Sequence, residues 1–258
     1  MKRSSLGVTI ILALLIGAGI GYYLLGGSTV PPSACAYLAS NYNASVGLIS
    51  ETPSHARYFL YSDNYLAALV LPKDCNNSSL AENINKTLSE YNASKIPNQF
   101  MVFDCKQDFQ GAENYNLSDH ISATVNNQTG APLNESYADI AFLEAYYNAK
   151  CEQNTSGAID AFNAGARMYN GIGFNDTAFR EGTSQGVYQT YKLALYVYTA
   201  KLLKETVPPS ALVNLLRMQA PSRGFYTGYD ANLSNDGTST NAETTCLAIM
   251  AMEAVSIY

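Results

Sequence analysis

Tryptophan is absent from the 258 residues, and there are only two histidines, His55 and His120. Charged residues make up 14% of the chain, against roughly 25% in soluble domains. The 15 lysines and arginines do not cluster beyond Lys2-Arg3, and the net charge is −6. The basic footprint of a nucleic-acid binder is therefore missing. Five cysteines without a C-x-x-C pair, beside two histidines, offer no zinc site, so no metal is expected. No phosphate-binding P-loop, dinucleotide fingerprint or G-x-S-x-G elbow occurs, and no cofactor is expected. Asp230, Asn232, Ser234 and Asp236 alternate as oxygen ligands do, but the spacing lacks the glycine and final glutamate of a calcium loop.

What is abundant is apolar sequence at one end and small polar residues elsewhere. Leu6 to Gly26 is almost wholly apolar, with Lys2 and Arg3 before it and Glu51 the next charged residue. Such a run is long enough to cross a bilayer as one helix, and the leading charges favour an amino terminus on the cytoplasmic side. It exceeds the 7–15 apolar residues usual in a cleaved signal peptide. The expected organisation is a cytoplasmic tip and anchor at 1–27, a linker at 28–32 and an extracytoplasmic domain at 33–258. N-x-[ST] sequons stand at Asn43, Asn76, Asn77, Asn85, Asn92, Asn116, Asn127, Asn134, Asn154, Asn175 and Asn232, all beyond the apolar run. They fit a glycosylated exterior protein. The anchor and the heavy use of Asn, Tyr and Ser resemble archaeal cell-surface glycoproteins in composition.

The cysteines are Cys35, Cys75, Cys105, Cys151 and Cys246, an odd number, so at least one lacks an internal partner. Cys75 and Cys105 bracket one helical stretch and are the expected bridge in an oxidising compartment. Cys246, inside an apolar helical run, is the expected buried thiol.

Four apolar, small-residue helices follow polar turns, at 61–71, 134–147, 187–203 and 241–255. Aligning Asp63, Ser136, Gln189 and Glu243 places Ala68, Ala141, Ala194 and Ala248 in register. Amphipathic helices alternate with them at 33–45, 78–91, 156–169 and 208–219, several beginning with a Ser or Pro suited to a cap or first turn. Segment 96–132 interrupts the pattern, with VFDC and ISATVNN as weak strand or loop signals. The loops repeat as well, GIGFNDTAF at 171–179 and SRGFYTGYD at 222–230. Recurrence of this kind signals stacked supersecondary units. The expected class is all-α, about four helical hairpins with apolar helices inside.

The stretch LLRMQAPSRGFYTGYDANLSNDGTSTNAETTCLAIMAMEA resembles the repeat of α/α-toroid proteins, a group that includes six-hairpin glycosidases and terpenoid cyclases with protein prenyltransferases. The resemblance implies a toroid whose inner helices begin around a common mouth. With four hairpins instead of six, it is open or reduced. The mouth would collect Asp63 and Glu243 as a carboxylate pair, with Glu135 and Asp139, spaced i,i+4, as the alternative pair. Tyr61, Tyr188, Gln189, Tyr226 and Tyr229 would line it and bind ligand, tyrosine stacking where tryptophan is missing. Acidic residues at helix starts also serve as caps, and capping is the outcome expected for Asp63 and Glu243. The expected role is a membrane-anchored cell-envelope module binding glycan or protein. A carbohydrate-active enzyme and an accessory subunit of a membrane complex are the alternatives.

Overall fold

The computed structural model describes residues 32–53, 57–93, 98–106, 113–118, 121–125, 136–180, 186–235 and 237–256. Residues 6–26, read as an anchor, lie outside this set, as do Glu135, Asn127 and Asn134. Among the described residues no helix is long and apolar enough to cross a membrane.

Apolar small residues recur through four helices that form the centre of the molecule. These are α2 (Tyr61–Asp74), α4 (Ala138–Lys150), α7 (Thr190–Leu203) and α9 (Ala242–Ser256). Each is wrapped by a more exposed helix: α1 (Pro32–Ser40) lies on α9, α3 (Ser78–Glu90) on α2, α5 (Thr155–Ala166) on α4 and α8 (Pro209–Arg217) on α7. Asn77 and Asn154 cap α3 and α5 by accepting from Leu80 N–H and Gly157 N–H, and Pro209 opens α8. Within the central group α9 packs between α2 and α7, and α7 packs on α4. A 3-10 helix, Gln99–Asp104, touches both α4 and α2. It takes in Val102, Phe103 and Asp104 of the VFDC run, so that weak strand signal is overridden by Phe100, Met101 and Val102 turning into the core. The mostly helical class read from the sequence is what the structure shows.

Strands are short and serve mainly as ties. β1 (Tyr42–Asn43) pairs with β2 (Leu48–Ile49). β3 (Phe59–Leu60) runs parallel to β5 (Ile121–Val125), which pairs antiparallel with β4 (Glu113–Ser118). β6 (Tyr188–Gln189) joins β8 (Gly228–Tyr229), and β7 (Phe225–Tyr226) joins β9 (Thr240–Asn241). A four-residue helix, α6, covers Thr177–Arg180.

These ties draw the starts of the four central helices to one face. Ala242 N–H, the first of α9, donates to Glu51 C=O at 2.9 Å, and Glu51 N–H donates to Tyr58 C=O just before β3 and α2. Thr190 N–H, opening α7, donates to Thr227 C=O between β7 and β8. Ala138 N–H, opening α4, donates to the Asp176 carboxylate at 3.0 Å.

The register of the repeat is marked by leucine, not by the alignment of Asp63 with Ser136, Gln189 and Glu243. Counting from the first helical residue, the sixth position is Leu66, Leu143, Leu195 and Leu247, all buried. In this register Asp139, Tyr191 and Glu243 are equivalent second positions, while Asp63 matches Lys192 one residue further on. The alanine alignment slipped because alanine recurs at several core positions in each helix, so any of them makes a match.

The repeated Gly-Phe of the two loops is also a packing device. A Cβ on Gly224 would meet the buried Tyr37 ring at 2.6 Å, and one on Gly173 would meet Tyr188 at 2.5 Å. Phe174 and Phe225 beside them are buried. Gly224→Ala should destabilise the fold by about 1–3 kcal/mol through overpacking, measured by denaturant unfolding.

The expected Cys75–Cys105 bridge is not the one formed. Cys35 joins Cys75 and Cys105 joins Cys151, with Cα–Cα distances of 5.5 and 5.4 Å. The reason is spatial: α3 doubles back along α2 and leaves Cys75 beside α1, whereas Cys105 follows the 3-10 helix that lies on α4 and so meets Cys151 at the end of α4. Closing loops of 40 and 46 residues contributes about 3–4 kcal/mol each in the chain-entropy description. Cys246 is a buried free thiol, as its apolar run suggests. Non-reducing peptide mapping should recover both pairs, with Cys246 alkylated only after unfolding.

Candidate functional site

Because the starts of α2, α4, α7 and α9 converge, Asp63, Asp139, Tyr191, Lys192 and Glu243 at their second and third positions form one cluster. The first pair expected there, Asp63 and Glu243, does come together, since the Glu243 charge contributes to raising the Asp63 pKa. Of the second pair, Glu135 lies outside the described residues, but Asp139 is near enough for its charge to help raise the Glu243 pKa.

Asp63 is fully buried. One oxygen accepts from the Ser62 hydroxyl at 3.3 Å, and the other, Oδ2, has no partner. Burial raises its pKa well above the carboxylate range, and the charges of Glu243 and Glu51 push the same way. Glu243 is half-buried, and burial, then Asp139 and Glu51, lift its pKa to about 7. Among the described residues neither carboxyl forms an ion pair.

Asp139 has different surroundings. The Tyr191 hydroxyl donates to it at 3.1 Å, and Lys192 Nζ lies 3.7 Å away. Tyr191 also donates toward Gln189 Oε1 at 3.1 Å. Burial, reinforced by Asp139 and Glu243, holds the Tyr191 pKa far above its ordinary value, so the phenol remains a donor. Lys192 is itself buried and pairs with Asp176, which is buried too. Asp176 additionally accepts from Ala138 N–H and Phe179 N–H, which fixes the start of α4 beside α7. The cluster thus holds two carboxyls biased toward their acid forms, Asp63 and Glu243, beside Asp139, which accepts from Tyr191 and lies near Lys192.

The capping outcome expected for Glu243 is not observed. Asn241 takes that place at α9 by accepting from Thr244 N–H at 2.9 Å. The first N–H of α4 is likewise satisfied by Asp176 from another loop. Asp63 is not the N-cap of α2, but its carboxyl accepts from its own backbone N–H within the first turn.

The expected tyrosine rim is mostly core. Tyr61, Tyr188 and Tyr229 are buried. Tyr188 stacks on Phe179 and Tyr229 and accepts from Asn170, and the Tyr229 hydroxyl donates to Ile172 C=O. The Tyr188 and Tyr229 rings join the loops to one another and are not free to stack on a ligand, while Tyr61 packs edge-on against Tyr65 of its own helix. Tyr226 and Gln189 are half-buried and remain at the mouth. The Asp230 loop is self-contained: its carboxylate accepts from Asn232 N–H and Ser234 N–H, which hold its pKa low. The sequon asparagines at 76, 85, 92, 154, 175 and 232 are exposed, and those at 43 and 77 half-buried.

Tyr191, Lys192, Asp176 and Glu51 were not singled out by sequence reasoning. The available signal was the leucine register, in which Asp139, Tyr191 and Glu243 recur at intervals of 52 residues. Compared with known proteins, the chain matches no family model, and no curated protein or solved structure matches it.

Proposed function

We propose that this chain is a membrane-anchored, N-glycosylated cell-envelope protein whose domain is a reduced α/α toroid of four hairpins, and that it hydrolyses glycosidic bonds. The observation that carries the reading is the contrast between Glu243 and Asp139, at equivalent positions of α9 and α4. Glycoside hydrolysis needs one carboxyl that is still protonated, to donate to the departing oxygen, and one carboxylate that activates water or attacks the sugar. Glu243 has the raised pKa of the acid. Asp139 accepts from the Tyr191 hydroxyl on one oxygen and lies 3.7 Å from the Lys192 ammonium on the other, the setting of the carboxylate partner. Asp63 is too deeply buried to touch a sugar, and burial with the Glu243 and Glu51 charges keeps it biased toward its own acid form. This pairing takes one member from each of the two pairs suggested by the sequence.

The reading favours catalysis over a tyrosine-lined binding module because three of the four expected tyrosines are buried. Its test is release of reducing ends from a panel of cell-envelope and storage polysaccharides by the full chain. Release that disappears in both Glu243→Gln and Asp139→Asn is expected. Glycan binding without any release would support the binding module instead.

A further inference from the structure

The opposite ends of the four central helices enclose a second feature, a cavity of about 600 Å³. Lys73 of α2, Lys150 of α4 and Lys201 of α7 stand around it, and Met250 and Ala254 of α9 contribute apolar wall. Tyr146 and Tyr198 form its aromatic side, their rings stacked 5.9 Å apart. Asp74 and Glu253 also line it, leaving three lysines against two acids on a chain of net charge −6. Lysines in last turns complement helix dipoles, which accounts for the individual residues. It does not account for an open cavity between them.

The chain's own route gives this cavity an orientation. The Cys35–Cys75 bridge fixes the beginning of α1 beside the carboxyl end of α2. Pro32, where α1 begins, is six residues from Gly26, the end of the apolar run. Six residues reach at most about 20 Å. An anchor at 6–26 therefore sets the lysine-lined end close to the bilayer and turns the carboxylate mouth away from it. Lysine beside tyrosine is the pairing suited to a lipid interface, where aromatic rings sit at headgroup depth and ammonium groups meet phosphate.

We propose that this cavity is the face on which the domain rests on its membrane, receiving the phosphate headgroup of an anionic lipid beside Lys73 and Lys150. The proposal rests on the anchored reading above. Lys73 and Lys150 meet the phosphate, and Asp74 accepts from a headgroup hydroxyl.

The full chain is reconstituted into nanodiscs of phosphatidylglycerol or of phosphatidylcholine, and lysine acetylation is followed by mass spectrometry. Lys73 and Lys150 should react about fivefold more slowly in phosphatidylglycerol, as expected for a contact worth ~1 kcal/mol per lysine. Lys86, exposed on α3, should react alike in both. Inserted chain whose Lys73 and Lys150 react equally in the two lipids would overturn the headgroup site and leave the anchor standing. Chain that fails to insert into either nanodisc would overturn both.

Discussion

Replacing Lys192 by methionine should destabilise the domain by about 3–5 kcal/mol, the usual consequence of removing one partner from a buried ion pair. Lys192 and Asp176 are both buried, and Asp176 also holds the first N–H of α4. Without the ammonium, the Asp176 carboxylate stays in the interior next to Asp139 with no cation facing either. The repulsion acts where α4 meets α7, so the mouth should loosen before the far end, which both disulfides brace. Adding Asp176→Asn to Lys192→Met should return much of the loss, because the orphaned charge is then gone. Chemical denaturation of the two variants measures the difference. A single variant as stable as the parent would mean that the pair does not organise this face.

Glu243→Gln should remove hydrolysis by a factor of about 10²–10⁴, the usual contribution of a general acid. The same substitution should change how stability follows pH. A glutamate with an ordinary pKa near 4.3 when unfolded and about 7 when folded binds its proton more tightly in the folded state. Its contribution is fully present below the unfolded pKa and is lost as pH rises through 7. Asp63, also raised, acts in the same direction. The domain should therefore be more stable near pH 4.5 than near pH 8, by on the order of 3 kcal/mol from Glu243. Glutamine carries no proton to lose, so the variant should show a flatter profile and higher stability at pH 8. Thermal unfolding across this range checks the sign.

Periodic burial made the helical framework legible in the sequence. All eight helices of the inner and outer sets appear within a few residues of their expected positions, because runs such as LAALVL and CLAIMAM leave no polar face to expose. The mouth was legible in part. Asp63, Asp139 and Glu243 are conspicuous as acids at helix starts, and that conveys proximity once the starts converge. Their pairing was not legible, since it depends on a leucine register that small-residue helices obscure. Lys192 reads as an ordinary surface residue until its helix is seen buried on nearly every side. The tyrosines misled because a half-polar ring in a Gly-rich loop suits a binding surface or a loop-to-loop seam equally well. Here the seam prevails for Tyr188 and Tyr229, which stack on each other. The disulfides misled for a related reason: sequence bracketing says nothing of which helix ends share a face.

The acid role requires that Glu243 keep its proton near neutral pH. Carbon-13 NMR titration of glutamate side-chain carboxyls in the full chain tests it directly. One glutamate should titrate near pH 7, and its resonance should vanish in Glu243→Gln. Every glutamate titrating near its ordinary value of about 4.3 would contradict the acid role, and the proposed hydrolysis would fail with it.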